Sequence, residues 1–319
     1  MKNGNKKQLA FVLGGGGSRG ALQVGALRAL IEAGYQPDLV TGTSIGAANG
    51  AFLAVNGFTL TGISKLEKIW QKTVDKDLMP ANMWWQTMQL LFRKPNGHPT
   101  NRIREFAIEN GITPDIRFKD LDSPFFYPVA ADLNSGKPRV FGVNPNEKVL
   151  DSILASMTLP PWMIPIEKDE QYLMDGGAVS NLPIEAALDQ GATEIIALDL
   201  LDPEEEDDSV TPGIRPFLWK LNRTVEVRQL ELEKKLAEAR GVDVKHIVLK
   251  SEPWVPMWDF RKSIELMEHG YHVTRTAMKT WEQKPKPAWW TNNLLITISL
   301  KTSSAFCSKL SIAHSCTKG

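Results

Sequence analysis

The sequence predicts an α/β fold: a mostly parallel central sheet with helices on both faces. Three observations predict it. Two short apolar runs, Gln8–Leu13 and Asp38–Thr43, read as buried strands, and each leads through glycines into a helix rich in small apolar residues. The same strand–turn–helix rhythm returns later in the chain, which is the pattern of parallel strands joined by helical crossovers. The composition, 42% hydrophobic and 23% charged over 319 residues, is that of a globular chain with ample apolar surface for a core.

The elements follow in order. After the strand Gln8–Leu13 the run Gly14–Gly17 breaks the apolar pattern, and Gly20–Ala33 reads as a helix stopped by Gly34. Asp38–Thr43 is the second strand and Ile45–Val55 the second helix. Helices are expected over Ile63–Val74, Asn82–Arg93 and Thr100–Glu109. Phe125–Asp132 and Pro138–Val143 read as strands around the turn Asn134-Ser135-Gly136. Lys148–Ser156 is a short helix, ended before Pro160-Pro161. Tyr172–Met174 is a short strand running into Gly176-Gly177. Pro183–Gln190 is a helix with proline at its start, and Glu194–Leu200 a strong strand. Asp202–Asp208, six acids around Pro203, reads as a solvated loop. Arg215–Arg240 is a long amphipathic helix, Asp243–Leu249 a last strand and Asp259–Trp281 a last helix.

This divides the chain into a core over 9–200, an extension over 201–285 completing the same globule, and a tail over 286–319. No Asp or Glu occurs after Glu282, and both cysteines, Cys307 and Cys316, lie in that tail, where they fit no metal-ligand spacing. Lysine plus arginine (37) balances aspartate plus glutamate (37), so no nucleic-acid partner is expected. The basic start is followed by an apolar run too short for a secretory core of about 7–15 residues, and no run nears the ~20 residues that span a bilayer. The reading is cytoplasmic, with peripheral membrane contact open and oligomeric state unaddressed.

Gly42-Thr43-Ser44-Ile45-Gly46 is a G-x-S-x-G between a strand and a helix. A serine there stands on a sharp turn at the end of the sheet, and the flanking glycines avoid clashes in that turn. The adjacent helix N-terminus favours negative charge near the attacking oxygen. Gly14–Gly20, also between strand and helix, lets backbone N–H groups converge on an anion. One reading of it is an oxyanion hole. The rival is a dinucleotide phosphate loop, since Gly15, Gly17 and Gly20 fit G-x-G-x-x-G; its acid would be Asp38, at the start of the second strand rather than its end. Asp175-Gly176-Gly177 follows a strand and suits a catalytic base, or an ordinary turn. Nucleophile, base and oxyanion donors at three strand ends make a set that no single motif makes.

On these blocks the chain resembles the patatin-like phospholipase family, of bacterial type. Gly14–Gly20 with Arg19, Gly42–Gly46, Ala155-Ser156-Met157-Thr158-Leu159-Pro160 and Asp175–Gly177 all match, as does the turn Asp132–Gly136. The resemblance implies the family's three-layer sandwich and hydrolysis of acyl esters by a Ser–Asp dyad. Ser44 is then the nucleophile and Asp175 its base. N–H groups of Gly15, Gly16 and Gly17 hold the oxyanion, with Arg19 orienting that loop or meeting a head group. Gly14, Gly20, Gly42, Gly46, Gly176 and Gly177 support the turns, and Pro160 shapes the pocket wall. The substrate is a lipid or other acyl ester of phospholipase A, lysophospholipase or esterase type, in lipid metabolism, with no cofactor and no metal.

Two alternatives stand beside this. One is a conventional α/β-hydrolase triad using His246, His269 or His272. The other is a catalytically silent module that binds lipid. The Trp- and Met-rich stretch Met83–Arg93 reads either as a lid at a lipid interface or as a core helix.

Overall fold

The computed structural model describes residues 7–74, 98–122, 124–159, 163–200 and 214–282. The expected helix over Asn82–Arg93, Pro160, the acidic loop Asp202–Asp208, and the tail with its cysteines lie outside the described residues. The chain divides into two compact units, Met1–Thr276 and Ala277–Gly319. The second holds, among described residues, the end of the last helix, where the Thr280 hydroxyl donates to Ala277 O at 2.7 Å. All that follows concerns the first.

The first unit is built on one eight-stranded sheet. Its strands are β1 (Leu9–Leu13), β2 (Leu39–Thr43), β3 (Phe125–Asp132), β4 (Lys137–Val140), β5 (Ile166–Lys168), β6 (Gln171–Asp175), β7 (Glu194–Asp199) and β8 (Asp243–Val248). The order is β5-β6-β3-β2-β1-β7-β8, with β4 also pairing β3. Strands β3, β2, β1, β7 and β8 run parallel, while β4, β5 and β6 are antiparallel to their neighbours. The helices are α1 (Gly20–Glu32), α2 (Ile45–Asn56), α3 (Leu60–Thr73), α4 (His98–Glu109), α5 (Val149–Ser156), α6 (Ile184–Asp189), α7 (Ile214–Ala239) and α8 (Ser263–Glu282).

Strand β1 shows why the sheet needs two helical layers. Ala10, Phe11, Val12 and Leu13 are all fully buried. Successive side chains of a strand point to opposite faces, so a continuous apolar run demands cover on both. Ala10 and Val12 pack with Ile195 and Ala197 of β7, Ile184, Ala187 and Leu188 of α6 and Ala237 of α7. On the alternate register stand Phe11 and Leu13. Helix α2 packs on β2 and β3, and α1 and α3 pack on α2. The expected α/β architecture with a mostly parallel sheet is the one found.

Boundaries moved where local chemistry decides them. Helix α3 starts at Leu60 rather than Ile63 because Thr59 caps it, its side chain accepting the Gly62 N–H at 3.1 Å. The strand expected over Pro138–Val143 ends at Val140, before Gly142 turns the backbone at φ 86. Strand β5 was not expected; three edge residues carry no usable periodicity. Among the described residues no helix is long and apolar enough to cross a membrane.

Candidate active site

Ser44 stands between β2 and α2 with φ 54 and ψ −121, a left-handed conformation that an L-residue adopts at a cost of about 1–3 kcal/mol. The turn is so tight that its glycines have no room for a side chain. A Cβ on Gly42 would lie 2.7 Å from Gly46 O, and one on Gly46 would lie 2.2 Å from Leu13 O. The conformation is held from outside. The Ser44 N–H donates to Ser156 Oγ at 2.9 Å, and that hydroxyl donates to Val129 O in β3 at 2.6 Å.

Asp175 ends β6, paired with Ala130 of β3. Its N–H donates to Thr158 O at 2.9 Å, so the last residue of α5 and the turn just after it hold the backbones of both Ser44 and Asp175. Carboxylate Oδ1 accepts the Gly177 N–H at 2.9 Å. Oδ2 is buried without a hydrogen bond of normal geometry among the described residues, and the Ser44 hydroxyl is the side-chain donor facing the carboxylate. Burial pushes the Asp175 carboxyl up to about 6, with the Ser44 hydroxyl and the Gly177 N–H pulling the other way.

The loop after Asp175 is clasped from α7. Gln229 Nε2 donates to Ala178 O at 3.0 Å, and Gln229 Oε1 accepts the Asn181 N–H at 3.3 Å. Glu233 accepts the Ser180 hydroxyl at 2.5 Å and the backbone N–H groups of Ile184 and Glu185 at 2.5 and 3.0 Å, capping α6. Burial pushes the Glu233 carboxyl up to about 7. The Thr43 hydroxyl donates to Ser180 O at 2.8 Å, tying this loop back to the serine turn.

The glycine-rich loop lies beside both. A Cβ on Gly15 would be 3.2 Å from Ser44 Cβ. Each peptide of the loop can be followed through its hydrogen bonds. Gly14 N–H donates to Leu198 O at 3.1 Å, Gly15 N–H to Asn181 O at 3.0 Å and Ser18 N–H to Met257 O at 2.7 Å. Arg19 Nε donates to Gly16 O at 3.3 Å. The expected trio of oxyanion donors is therefore reduced: Gly15 N–H is committed to Asn181. Gly16 and Gly17 make no N–H hydrogen bond among the described residues. Gly17, at φ 61, is the position where the loop needs a left-handed backbone, and a Cβ there would lie 2.3 Å from Met257 O. Arg19 is buried with its Nε on the loop's own carbonyl.

An apolar cavity opens from Ser44 and Asp175, walled by Phe52, Leu66, Trp70, Phe106, Met157 and Met257. No histidine lines it among the described residues. His246, one of the triad candidates, instead has Nε2 3.0 Å from Asp199 Oδ2. Asp38, the acid that a dinucleotide site would use, accepts the Leu9 N–H at 2.9 Å. Leu9 opens β1, so Asp38 sits at the opposite end of that strand from the glycine loop. No cluster of three or more His, Cys, Asp or Glu is placed to hold a metal among the described residues. Asn181, Gln229, Glu233 and Met257 carry no signal in the sequence; Ser156 carries one, its place in the Ala-Ser-x-x-x-Pro block, which does not say that it bonds the Ser44 N–H.

The profile of the patatin-like phospholipase family matches residues 11–188. The chain is similar to mouse patatin-like phospholipase domain-containing protein 7, 30% identical over 308 residues, covering 88% of this chain and 21% of that protein. It is 34% identical over 294 residues to human patatin-like phospholipase domain-containing protein 6, covering 86% of this chain and 20% of that protein. It thus spans about a fifth of the length of the curated relatives it matches. Both are animal proteins and lend no support to a bacterial type. Among solved structures, VipD from Legionella pneumophila aligns with a TM-score of 0.45 at 11% identity, over 86% of this chain and 67% of that one.

Proposed function

The chain belongs to the patatin-like phospholipase family, and on that premise we propose that it is a serine acyl-ester hydrolase of phospholipase A, lysophospholipase or esterase type. Ser44 is the nucleophile, Asp175 its base, and the Gly16 and Gly17 N–H groups the oxyanion donors. One observation carries the reading. A serine in a strained turn faces a buried carboxylate, and both line an apolar cavity.

The chemistry follows from that arrangement. The substrate's acyl chain fills the cavity and brings its ester carbonyl to Ser44. Ser44 Oγ bonds to the carbonyl carbon while its proton passes to Asp175, and the carbonyl oxygen takes up the negative charge beside Gly16 and Gly17. The tetrahedral intermediate collapses, the ester C–O bond breaks, and the departing alcohol takes the proton from Asp175. Water then repeats the sequence on the acyl-enzyme, with Asp175 again accepting the proton. Ordinary aspartate, with a pKa of ~3.9, is a poor base for this task. A carboxyl raised to about 6 is a stronger base and is still mostly ionised at neutral pH.

The same reading treats 9–200 as the catalytic core and the extension after it, as far as Thr276, as completing that globule, since β8 and α7 join the sheet and the Asp175 loop. It places the chain in the cytoplasm, in peripheral contact with the lipid surface that presents its substrate.

The test is hydrolysis of p-nitrophenyl butyrate, with labelling by an alkyl fluorophosphonate. Wild type should turn over and be labelled, and folded Ser44→Ala should do neither. Wild-type turnover in Ser44→Ala, or a wild type inert to both reagents, would refute the assignment.

A further inference from the structure

Three side chains form a hydrogen-bonded chain through the core, from the cavity wall to the glycine-rich loop. Trp70 Nε1 donates to Asn49 Oδ1 at 3.0 Å. Asn49 Nδ2 donates to Gln23 Oε1 at 3.0 Å and to Gly20 O at 3.0 Å. Gln23 Nε2 donates to Gly14 O at 2.8 Å and to Leu198 O at 3.4 Å. All three residues are buried.

The polarity of this chain is not arbitrary. An indole nitrogen only donates, so the Asn49 oxygen must face Trp70. The Asn49 amide nitrogen must then face Gln23, whose own nitrogen is left for Gly14. One irreversible donor thus orders every amide downstream of it. Aligned bonds of this kind polarise and strengthen one another in a low-dielectric interior.

What the chain holds is the loop that carries the oxyanion donors. Asn49 takes the carbonyl at one end, Gly20, and Gln23 takes the carbonyl at the other, Gly14. The Gly14–Gly15 peptide is gripped on both sides, its oxygen by Gln23 and its N–H by Asn181 O. A planar peptide held at both its oxygen and its N–H gives the next one, whose N–H belongs to Gly16, a fixed base, leaving only the φ and ψ of Gly15 between them. A glycine run has almost no steric preference of its own, so this direction must be imposed from outside.

Resting on the hydrolase reading above, we propose that Gln23, Asn49 and Trp70 are positioning residues that aim the Gly16 and Gly17 N–H groups at the reacting oxygen. Trp70 also walls the cavity and stacks on Phe260, with ring centroids 5.8 Å apart. The acyl chain therefore packs against the residue that starts the chain of amides.

The experiment compares Gln23→Leu and Trp70→Phe with wild type. Trp70→Phe keeps a ring against Phe260 and removes the N–H together with part of the indole's bulk, so it serves as the second variant if Gln23→Leu does not fold. Readouts are kcat and KM for p-nitrophenyl butyrate, and inhibition by an alkyl trifluoromethyl ketone against its non-reactive alcohol analogue. The ketone adds Ser44 and places an oxyanion in the hole; the alcohol does not. Each folded variant should lose roughly 10–100-fold in kcat, approaching the scale of one lost oxyanion donor, and Gln23→Leu, whose side chain does not line the cavity, should keep KM within about threefold. Ketone affinity should fall with kcat, and alcohol affinity should stay. Unchanged kcat, a loss carried by KM, or equal loss of both inhibitors would overturn the proposal. Absence of wild-type turnover would instead strike at the hydrolase reading itself.

Discussion

The backbone N–H of Ser44 is bonded to the hydroxyl of Ser156 at 2.9 Å, 112 residues away in sequence. That bond removes Ser44's own N–H from any contact with substrate and braces the strained turn against α5. Replacing Ser156 with alanine leaves the Ser44 N–H and Val129 O buried without this partner. The expected loss is about 1–3 kcal/mol of stability. Turnover should fall by about tenfold or more, as the turn relaxes. Thermal melting and steady-state kinetics check this; a Ser156→Ala protein matching wild type in both would show that the turn holds itself.

The Asp175 carboxyl, pushed up to about 6, sets the acid limb of activity. The carboxylate is the working form, so kcat/KM should be flat above neutrality and fall about tenfold per pH unit below 6. A pH–rate profile with its acid limb near 4 would mean that Asp175 is solvated in the working enzyme.

The glycine loop should respond unequally along its length. Gly17 has φ 61 and backbone against it, Met257 O at 2.3 Å from a Cβ. The contact at Gly16 is with the side chain of Leu200, at 2.8 Å. A side chain can move aside more cheaply than a backbone carbonyl. Gly17→Val should therefore cost more turnover than Gly16→Val, the latter about 100-fold, the scale of one lost donor. Equal, small effects in folded proteins would place the oxyanion donors elsewhere.

Histidine substitution separates a dyad from a triad. His246 is engaged with Asp199, and no histidine lines the cavity among the described residues. Single substitutions of His98, His246, His269, His272 and His314 should each cost less than about tenfold in kcat, or ~1.4 kcal/mol of barrier. A loss of three decades from any of them would restore the triad.

Much of this was legible in the sequence because it is local. The serine turn and the glycine loop announce themselves through glycines that must pass close to backbone, as Gly46 does against Leu13. The strands announce themselves by apolar runs such as Ala10–Leu13. What was not legible depends on residues far apart in the chain. Nothing near Gly15 says that its N–H belongs to Asn181, and nothing near Glu233 says that it caps a helix some 50 residues earlier. Gln23 and Asn49 stand in no motif, and only the packing of α1 on α2 turns them into a bonded pair. Polar groups buried by tertiary contact have no sequence period, so pattern reading passes over them.

The burial that would make Asp175 a useful base in the proposed mechanism also sets function against durability. A carboxyl whose folded pKa is raised contributes stability that is complete below about 4 and lost as pH rises through about 6. A shift from 3.8 to about 6 corresponds to roughly 3 kcal/mol between the two ends of that window. On the proposed mechanism, turnover requires the ionised form of Asp175, the form that weakens the fold. Asparagine at 175 cannot ionise, and its oxygen can still accept the Gly177 N–H. Asp175→Asn should be an inactive protein that melts higher than wild type at pH 8, with the advantage gone at pH 4. This trade-off leaves selection for robustness and selection for turnover pulling on the same oxygen atoms.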